Sequence, residues 1–124
     1  MTAPTVDVTA LLATLARAQA RIAQQDRQIR DLRHQATHDP LTGILNRQGL
    51  AEAWPTLPAG TAAALIDLDH FKRINDTHGH NGGDLALAAV AALIHPYGVA
   101  ARLGGDELAL IAPHHVLAEW IASW

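Results

Sequence analysis

The sequence predicts an α/β protein, more narrowly of the α+β type, in which a long N-terminal helix precedes a domain built on a small sheet. Three observations lead to this prediction. Apolar residues recur with heptad spacing through residues 1–37. Residues 61–68 form an almost continuous apolar run, typical of a strand, and residues 100–111 contain two short apolar runs around Gly104-Gly105-Asp106. The expected domains are therefore residues 1–37 and residues 38–124.

Composition limits the classes of function. With 124 residues, 49% of them apolar, the chain is long enough for one packed domain and an appendage. Its net charge of -3 argues against a nucleic-acid partner, and the absence of cysteine excludes thiol chemistry and zinc–thiolate sites. The sequence shows neither a secretory signal nor an apolar run long enough to span a bilayer, which predicts a cytoplasmic protein without a membrane partner.

The N-terminal helix is expected to begin at a cap formed by Asp7 or Thr9 and to end near Thr37, before Asp39-Pro40. The residues at one heptad core position are Val8, Leu15, Ile22, Ile29 and Ala36, and those at the other are Leu11, Ala18, Gln25 and Leu32; all except Gln25 are apolar. β-branched residues at the first position favour a parallel two-stranded coiled coil. The alternative is a single amphipathic helix lying on its own domain.

Two elements are expected before the acidic residues begin. A short helix from Arg47 to Trp54 follows a turn at Thr42-Gly43, and Asn46 is its predicted cap. The run from Thr61 to Leu68 is almost wholly apolar, as expected of a buried central strand.

The second half of the chain alternates helices with the hairpin. One or two helical turns are expected over residues 71–76, a glycine-broken loop over 77–83 and a helix over 84–95. The predicted buried side of that helix consists of Leu85, Ala88, Ala89, Ala92 and Leu93. In the hairpin, Gly104 and Gly105 are expected to supply positive φ angles. Pro113 should end its second strand, before a helix over residues 114–124.

Acidic side chains lie at the ends of two predicted strands. Asp67 and Asp69 follow one strand, and Asp106 and Glu107 lie at the hairpin bend. Carboxylate oxygens at neighbouring strand ends suit a magnesium ion, and a pair of such ions is one known solution for nucleotidyl transfer. The alternative for the Asp106-Glu107 pair by itself is a solvated acidic turn, and Asp69 alone would serve to anchor a turn.

Residues after Asp69 suit a nucleotide. Helix N-terminal amides and Lys72, the only lysine in the chain, would be available to phosphates. The amide of Asn75 and the carboxylate of Asp84 match the hydrogen-bond donors of guanine. The spacing of His78 and His80 is compatible with a metal site, although roles in a loop or in this pocket are the favoured alternatives.

Five motifs between residues 37 and 112 resemble those of the GGDEF family of diguanylate cyclases, in family order. They are Asp39-Pro-Leu-Thr-Gly-Ile-Leu-Asn-Arg47, Asp67-Leu-Asp-His-Phe-Lys72, Asn75-Asp76, Gly79-His80 with Gly83-Asp84, and Arg102-Leu-Gly-Gly-Asp-Glu107. The resemblance implies a palm-like fold with a mixed central sheet. It also implies condensation of two GTP molecules into cyclic di-GMP, with Mg2+ or Mn2+ as cofactor, in a homodimer formed through the N-terminal helix and facing domains.

The resemblance further implies roles for individual residues. The implied metal ligands are Asp67, Asp106, Glu107 and the Leu68 carbonyl, with Asp106 and Glu107 catalytic. The implied substrate contacts are Asn75, His80 and Asp84 to guanine and the amides of Phe71 and Lys72 to phosphates. Asp39 and Arg47 are expected to form a structural ion pair or to act as a linker between the helix and the site.

Three departures from the family pattern bear on function. Leu108 stands where the family has phenylalanine, and the window of the allosteric inhibitory site reads His95-Pro-Tyr-Gly98, so no such site is expected. Family domains continue past the position of Trp124, which predicts a fold that is incomplete at its C-terminal end. The alternative function is therefore a catalytically impaired module that binds GTP or dimerises with a complete cyclase.

Overall fold

The computed structural model describes residues 3–124, which divide into one unit ending at His34 and another from Gln35 to Trp124. The helices and strands, in chain order, are α1 (Val8–Thr37), α2 (Arg47–Ala53), β1 (Thr61–Asp67), α3 (Phe71–Ile94), β2 (Val99–Arg102), β3 (Glu107–Pro113) and α4 (His114–Ala122). Single 3-10 turns, Trp54–Thr56 and His95–Tyr97, follow α2 and α3.

Helix α1 confirms the long N-terminal helix. The Asp7 carboxylate caps it by accepting a hydrogen bond from the Ala10 amide at 3.1 Å. None of its residues is buried, and its heptad leucines and isoleucines are all about half exposed or more. Pairing with a second helix therefore stays a prediction, supported by apolar side chains that have no cover within the described chain.

Asn46 joins α2 to the end of α1. Its side-chain oxygen accepts a hydrogen bond from the Gly49 amide at 2.8 Å, as the predicted cap requires, and its amide group donates to the Ala36 carbonyl at 2.9 Å. A Cβ on Gly49 would overlap the Thr37 carbonyl oxygen. The chain can therefore approach the end of α1 closely only because Gly49 has no side chain.

The sheet has the order β1-β3-β2 and is antiparallel in all three strands formed by residues 3–124. β2 and β3 form the predicted hairpin, with Val99 opposite Ile111 and Arg102 opposite Leu108. The one parallel pairing in the described chain is an isolated bridge between Leu45 and Ala101. The sheet was expected to mix parallel and antiparallel pairing, and its only parallel pairing in the described chain is that bridge.

The central strand is β3, and the prediction that β1 is a buried central strand was wrong. β1 lies at the edge, and its burial alternates, with Ala63, Leu65 and Asp67 exposed. In β3 the five residues 108–112 are all buried. An apolar run without alternation identifies a strand but not its place in the sheet, because both faces of such a strand carry apolar side chains.

The core lies between one face of the sheet and the helices α3 and α4. Its buried members are Ile44, Leu87, Ala91, Ile94, Ala100, Leu108, Leu110, Ala112 and Leu117. Leu108, at the position where the family pattern differs, is fully buried. The core face of β3 thus consists of aliphatic side chains at alternate residues, as its pleat requires.

Helix α3 differs from the prediction in two ways. The expected loop over residues 77–83 is reduced to a break at Gly79, whose φ of 75° and ψ of 176° separate two helical segments. The predicted buried side was also wrong, since Leu85 and Leu93 are 72% and 67% exposed while Leu87 and Ile94 are buried. Residues 85–94 are all apolar, so periodicity alone could not choose the packed side.

Candidate functional site

The hairpin bend consists of four residues, Leu103 to Asp106, between β2 and β3. The Glu107 carbonyl accepts hydrogen bonds from the Leu103 amide at 2.8 Å and from the Gly104 amide at 3.3 Å. The prediction that Gly104 and Gly105 adopt positive φ was wrong, because a four-residue loop turns the chain without it. A Cβ on Gly105 would meet nothing within 4 Å. Neither glycine is therefore required by the fold itself, and the bend exposes bare backbone to any ligand.

Arg102 holds this bend in place. Its guanidinium donates hydrogen bonds to the carbonyls of Gly104 at 3.2 Å and Gly105 at 2.8 Å, and forms an ion pair with Asp39 at 3.2 Å. The expected pairing of Asp39 with Arg47 was wrong, since Arg47 donates instead to the Leu103 carbonyl at 2.8 Å. Both arginines therefore bind the bend, and Arg102 also connects it to the turn that follows α1.

Asp39 accepts hydrogen bonds from the Thr42 amide at 2.9 Å and the Thr42 hydroxyl at 2.7 Å, besides the ion pair with Arg102. Burial by itself would raise the pKa of Asp39, but these hydrogen bonds and the charge of Arg102 outweigh it. The pKa of Asp39 lies below its ordinary value as a result. The carboxylate is thus ionised throughout the physiological range.

The predicted acidic residues come together at the ends of β1 and β3. Asp67 lies directly opposite Glu107 in the register of the two strands, and the Leu68 amide donates to the Asp106 carbonyl at 3.4 Å. No lysine or arginine pairs with either acid among residues 3–124. Like charges directly opposite each other destabilise a sheet, so this arrangement suits a cation that the protein itself does not supply.

The donor set fits a magnesium ion. Residues 3–124 contain no group of three or more His, Asp or Glu side chains arranged to hold a metal. Magnesium, however, is usually bound by one or two carboxylates together with phosphates of the substrate. Asp67 and Glu107 provide such carboxylates, and the Leu68 carbonyl, which accepts from the Phe71 amide at 3.3 Å, keeps a second lone pair. Asp106 lies next in the chain, in the bend.

The start of α3 presents open amides beside these acids. His70 precedes the helix with a φ of 59°, and it is the only residue other than glycine with positive φ among those described. The Phe71 amide is engaged with Leu68, while the amides of Lys72 and Arg73 have no backbone partner in the described chain. Two N–H groups at a helix N-terminus form a favourable environment for a phosphate.

The break at Gly79 brings together residues that a straight helix would hold far apart. A Cβ on Gly83 would overlap the Asn75 side-chain oxygen and would lie 3.2 Å from a ring carbon of Phe71. In an unbroken helix, residues 75 and 83 would be about 12 Å apart along the axis. The Asn75 side chain therefore lies against Gly83, the residue before Asp84.

The remaining predicted residues lie at three separate places in the fold. His78 and His80 flank Gly79, and both are exposed, as is Asp69. His114 begins α4, as the expectation of a helix start required. Sequence reasoning gave no role to Arg102, His70 or Gly83. Arg102 acts through a partner that is distant in the chain, His70 through its positive φ angle, and Gly83 through the close approach of Asn75. None of these features can be read from the residue type alone.

Antiparallel strands packed on helices, with an acidic bend beside the end of a third strand, define an α+β domain of the palm-like class. Residues 36–122 match the family model described as diguanylate cyclase, GGDEF domain. The chain belongs to the GGDEF family. None of the helices within residues 3–124 combines the length and the apolar character needed to cross a bilayer.

Similar proteins include enzymes with opposite named activities. The diguanylate cyclase VdcA of Vibrio cholerae is 38% identical over 103 residues, which are 77% of this chain and 30% of that protein. The cyclic di-GMP phosphodiesterase PdeB of Shewanella oneidensis is 39% identical over 97 residues, which are 73% of this chain and 11% of that protein. The chain spans less than half the length of the curated relatives it matches.

A solved structure shows the same architecture. The coiled coil and GGDEF domain of DgcB from Caulobacter crescentus, in complex with c-di-GMP, superposes with a TM-score of 0.75 at 33% identity. The match covers 92% of this chain and 67% of that chain. The family and the fold of this chain are thereby established.

Proposed function

We propose that this chain carries out nucleotidyl transfer of the diguanylate cyclase type, condensing two GTP molecules into cyclic di-GMP and two pyrophosphates. The observation that carries the proposal is the placement of Asp67 opposite Glu107 without a basic partner, beside the open start of α3. Membership of the GGDEF family and the named activity of VdcA support it.

The proposal gives roles to the acidic residues at the ends of β1 and β3 and to the backbone amides at the start of α3. Asp67, Glu107, Asp106 and the Leu68 carbonyl would hold magnesium, which supplies Lewis acidity toward the phosphates and lowers the pKa of a hydroxyl nucleophile. The free amides of Lys72 and Arg73 bind phosphate oxygens, and the bare backbone at Gly104 and Gly105 lets the nucleotide approach the bend.

In this proposal, guanine is recognised by residues on either side of the break in α3 at Gly79. The Asn75 side chain accepts or donates at the base edge, and the Asp84 carboxylate accepts from the N1–H and amino donors. His80 completes the pocket from the position after Gly79. The Asn75 side chain lies against Gly83, the residue before Asp84, and this supports the proposal that both groups contact a single base.

Each domain binds one GTP in this proposal, so the reaction needs two copies facing each other. Residues 1–37 would bring the copies together as a coiled coil and residues 38–124 would carry the active half-site. The uncovered heptad side chains of α1 support this division.

The test is incubation of the full chain with GTP and magnesium, with chromatographic detection of cyclic di-GMP. Asp67→Asn and Glu107→Gln are each expected to reduce turnover by about 100-fold or more, because a bound metal supplies several kcal/mol of charge stabilisation. Glu119→Gln changes an exposed acid of α4 in the same way and should leave turnover within about twofold. If the wild-type chain yields no cyclic di-GMP at high protein concentration, the proposed cyclase activity is refuted.

One observation favours a second candidate, a GTP-binding regulatory module without turnover. A chain segment similar to this one occurs in PdeB, a protein named as a cyclic di-GMP phosphodiesterase. Calorimetric titration with GTP separates the candidates. Binding without cyclic di-GMP production supports the module, whereas absence of binding excludes both.

A further inference from the structure

The second segment of α3 has no polar side. Residues 85–94 are all apolar, and Leu87, Ala91 and Ile94 among them are buried in the core. Four exposed residues lie on the opposite side of the helix and are called here the outer face of α3, namely Leu85, Ala89, Ala92 and Leu93. The two leucines are 72% and 67% exposed. A helix that is hydrophobic all round is normally buried, so this face is suited to a partner.

The outer face is symmetric about Ala89. Leu85 lies four residues before Ala89 and Leu93 four residues after it, so the two large side chains are about 12 Å apart along the helix axis. The small side chain of Ala89 between them lets another helix approach to the short end of the usual range of about 8–10 Å between axes. The face therefore matches a second helix that has the same spacing and runs in the opposite direction.

We infer that the occupant of this face is the outer face of α3 in a second copy of this chain, packed antiparallel about a two-fold axis beside Ala89. In that arrangement Leu85 of each copy lies opposite the partner's Leu93 and enters the space between the partner's Ala89 and Ala92. Both copies use the same residues, as a two-fold interface requires.

Charge favours the antiparallel arrangement and a second copy over an unrelated helix. No charged residue lies between Asp84 and His95, so the contact buries no charge that lacks a partner. Asp84 and His95 are both exposed, and they lie on the same side of the helix because eleven residues are about three turns. Antiparallel pairing brings each aspartate toward the partner's histidine, whereas parallel pairing would bring like residues together. The outer face is thus complementary to itself in both size and charge.

The expected contact is small. Two leucines and two alanines from each copy bury less than the roughly 800 Å² per partner of a standard interface, so pairing through α3 belongs to the weak, transient class. Covalent capture is therefore the appropriate test. The inference does not depend on the proposed enzymatic activity.

The absence of cysteine from the chain allows capture in the full-length protein. Ala89→Cys places two thiols beside the two-fold axis, with Cα atoms about 5–6 Å apart, within the range of disulfides. Ala51→Cys lies on α2, is equally classed as exposed and reports random collision. Under copper phenanthroline, Ala89→Cys should form covalent dimers at least about tenfold faster than Ala51→Cys, because the paired helices hold its thiols together. GTP is left out, since Asp84 is also a proposed guanine contact.

Ala92→Cys tests the direction of pairing. In the antiparallel arrangement the two copies of residue 92 are about 9 Å apart along the helix axis, so this variant should link no faster than Ala51→Cys. In a parallel arrangement the two copies would be level and would link as fast as those of Ala89→Cys. The inference is overturned if Ala89→Cys links no faster than Ala51→Cys, or if Ala92→Cys links as fast as Ala89→Cys.

Lysine variants without cysteine provide an independent readout. Ala89→Lys would place two ammonium groups at the two-fold axis, whereas Ala51→Lys adds the same charge on α2. Both also carry Ile22→Glu, a charge in the predicted heptad core of α1, so that α1 does not contribute to association. Sedimentation at high protein concentration should give a lower average mass for Ala89→Lys, with equal helix content by circular dichroism. Equal masses would count against pairing through α3.

Discussion

Arg102 connects the signature bend to the start of the domain. Its guanidinium makes hydrogen bonds to two bend carbonyls and to both oxygens of Asp39, a residue 63 positions away. A lysine has one compact donor group and cannot span these acceptors. The sequence places Arg102 in a motif, but only the fold reveals what it binds, because a partner so distant in the chain leaves no local signal.

Asp39→Asn is expected to destabilise the protein by about 1–3 kcal/mol at neutral pH, because hydrogen bonds to charged groups are lost or weakened. The pKa of Asp39 is depressed in the folded chain, so the ionised group stabilises the fold above its unfolded pKa. That contribution disappears as the pH falls through the folded pKa, which lies below the ordinary value of an aspartate. Urea denaturation of both proteins between pH 7 and pH 3 should therefore show the difference shrinking in acid.

Asp76→Asn is the control for this experiment, since Asp76 is exposed and forms no ion pair within the described chain. It should shift the unfolding free energy by less than about 0.5 kcal/mol at every pH. An Asp39→Asn deficit that stays constant from neutral to acid pH would contradict the role given to the ionised carboxylate.

At the scale of elements, the sequence predicted where helices and strands lie better than which sides they bury. The caps Asp7 and Asn46 and the hairpin around residues 103–106 are local signals, and each was confirmed. The predicted place of β1 in the sheet and the predicted buried side of α3 were wrong. A uniformly apolar run does not indicate which of its residues face the core. The candidate site shows the same limit. Asp67 and Glu107 could be predicted from sequence motifs, whereas the contact of Asn75 with Gly83 is visible only in the folded structure.

The close approach of Asn75 to Gly83 in α3 predicts that a side chain at position 83 would weaken nucleotide binding. Gly83→Ala should displace the Asn75 side chain, because a Cβ there overlaps its oxygen. That oxygen is the end of a flexible side chain, and alanine is favoured over glycine in helices by about 1 kcal/mol, so stability should change little. Calorimetry is expected to show at least tenfold weaker GTP binding alongside a nearly unchanged melting temperature.

A double-mutant cycle distinguishes this displacement from a general loss of structure. If Gly83 acts through Asn75, then Asn75→Ala combined with Gly83→Ala should bind GTP no more weakly than Asn75→Ala alone. Additive losses would show that Gly83 serves the site by some other route.

At the scale of the whole molecule, the heptad residues of α1 are the larger surface that we propose for association between copies. They recur at a period of seven residues, and their leucines and isoleucines are about half exposed or more. A charge introduced at a heptad core position should therefore weaken association, whereas the same charge outside the core positions should not.

Ile22 is 58% exposed and lies in the middle of the heptad core predicted for α1. Ile22→Glu should raise the dissociation constant of the helix dimer by about 100-fold or more, because two glutamates would be buried without partners. Gln24→Glu adds the same charge outside the core positions and should leave the dimer intact. Sedimentation equilibrium measures both. A wild-type chain that stays monomeric, or equal association of the two glutamate variants, would show that α1 does not pair through these residues.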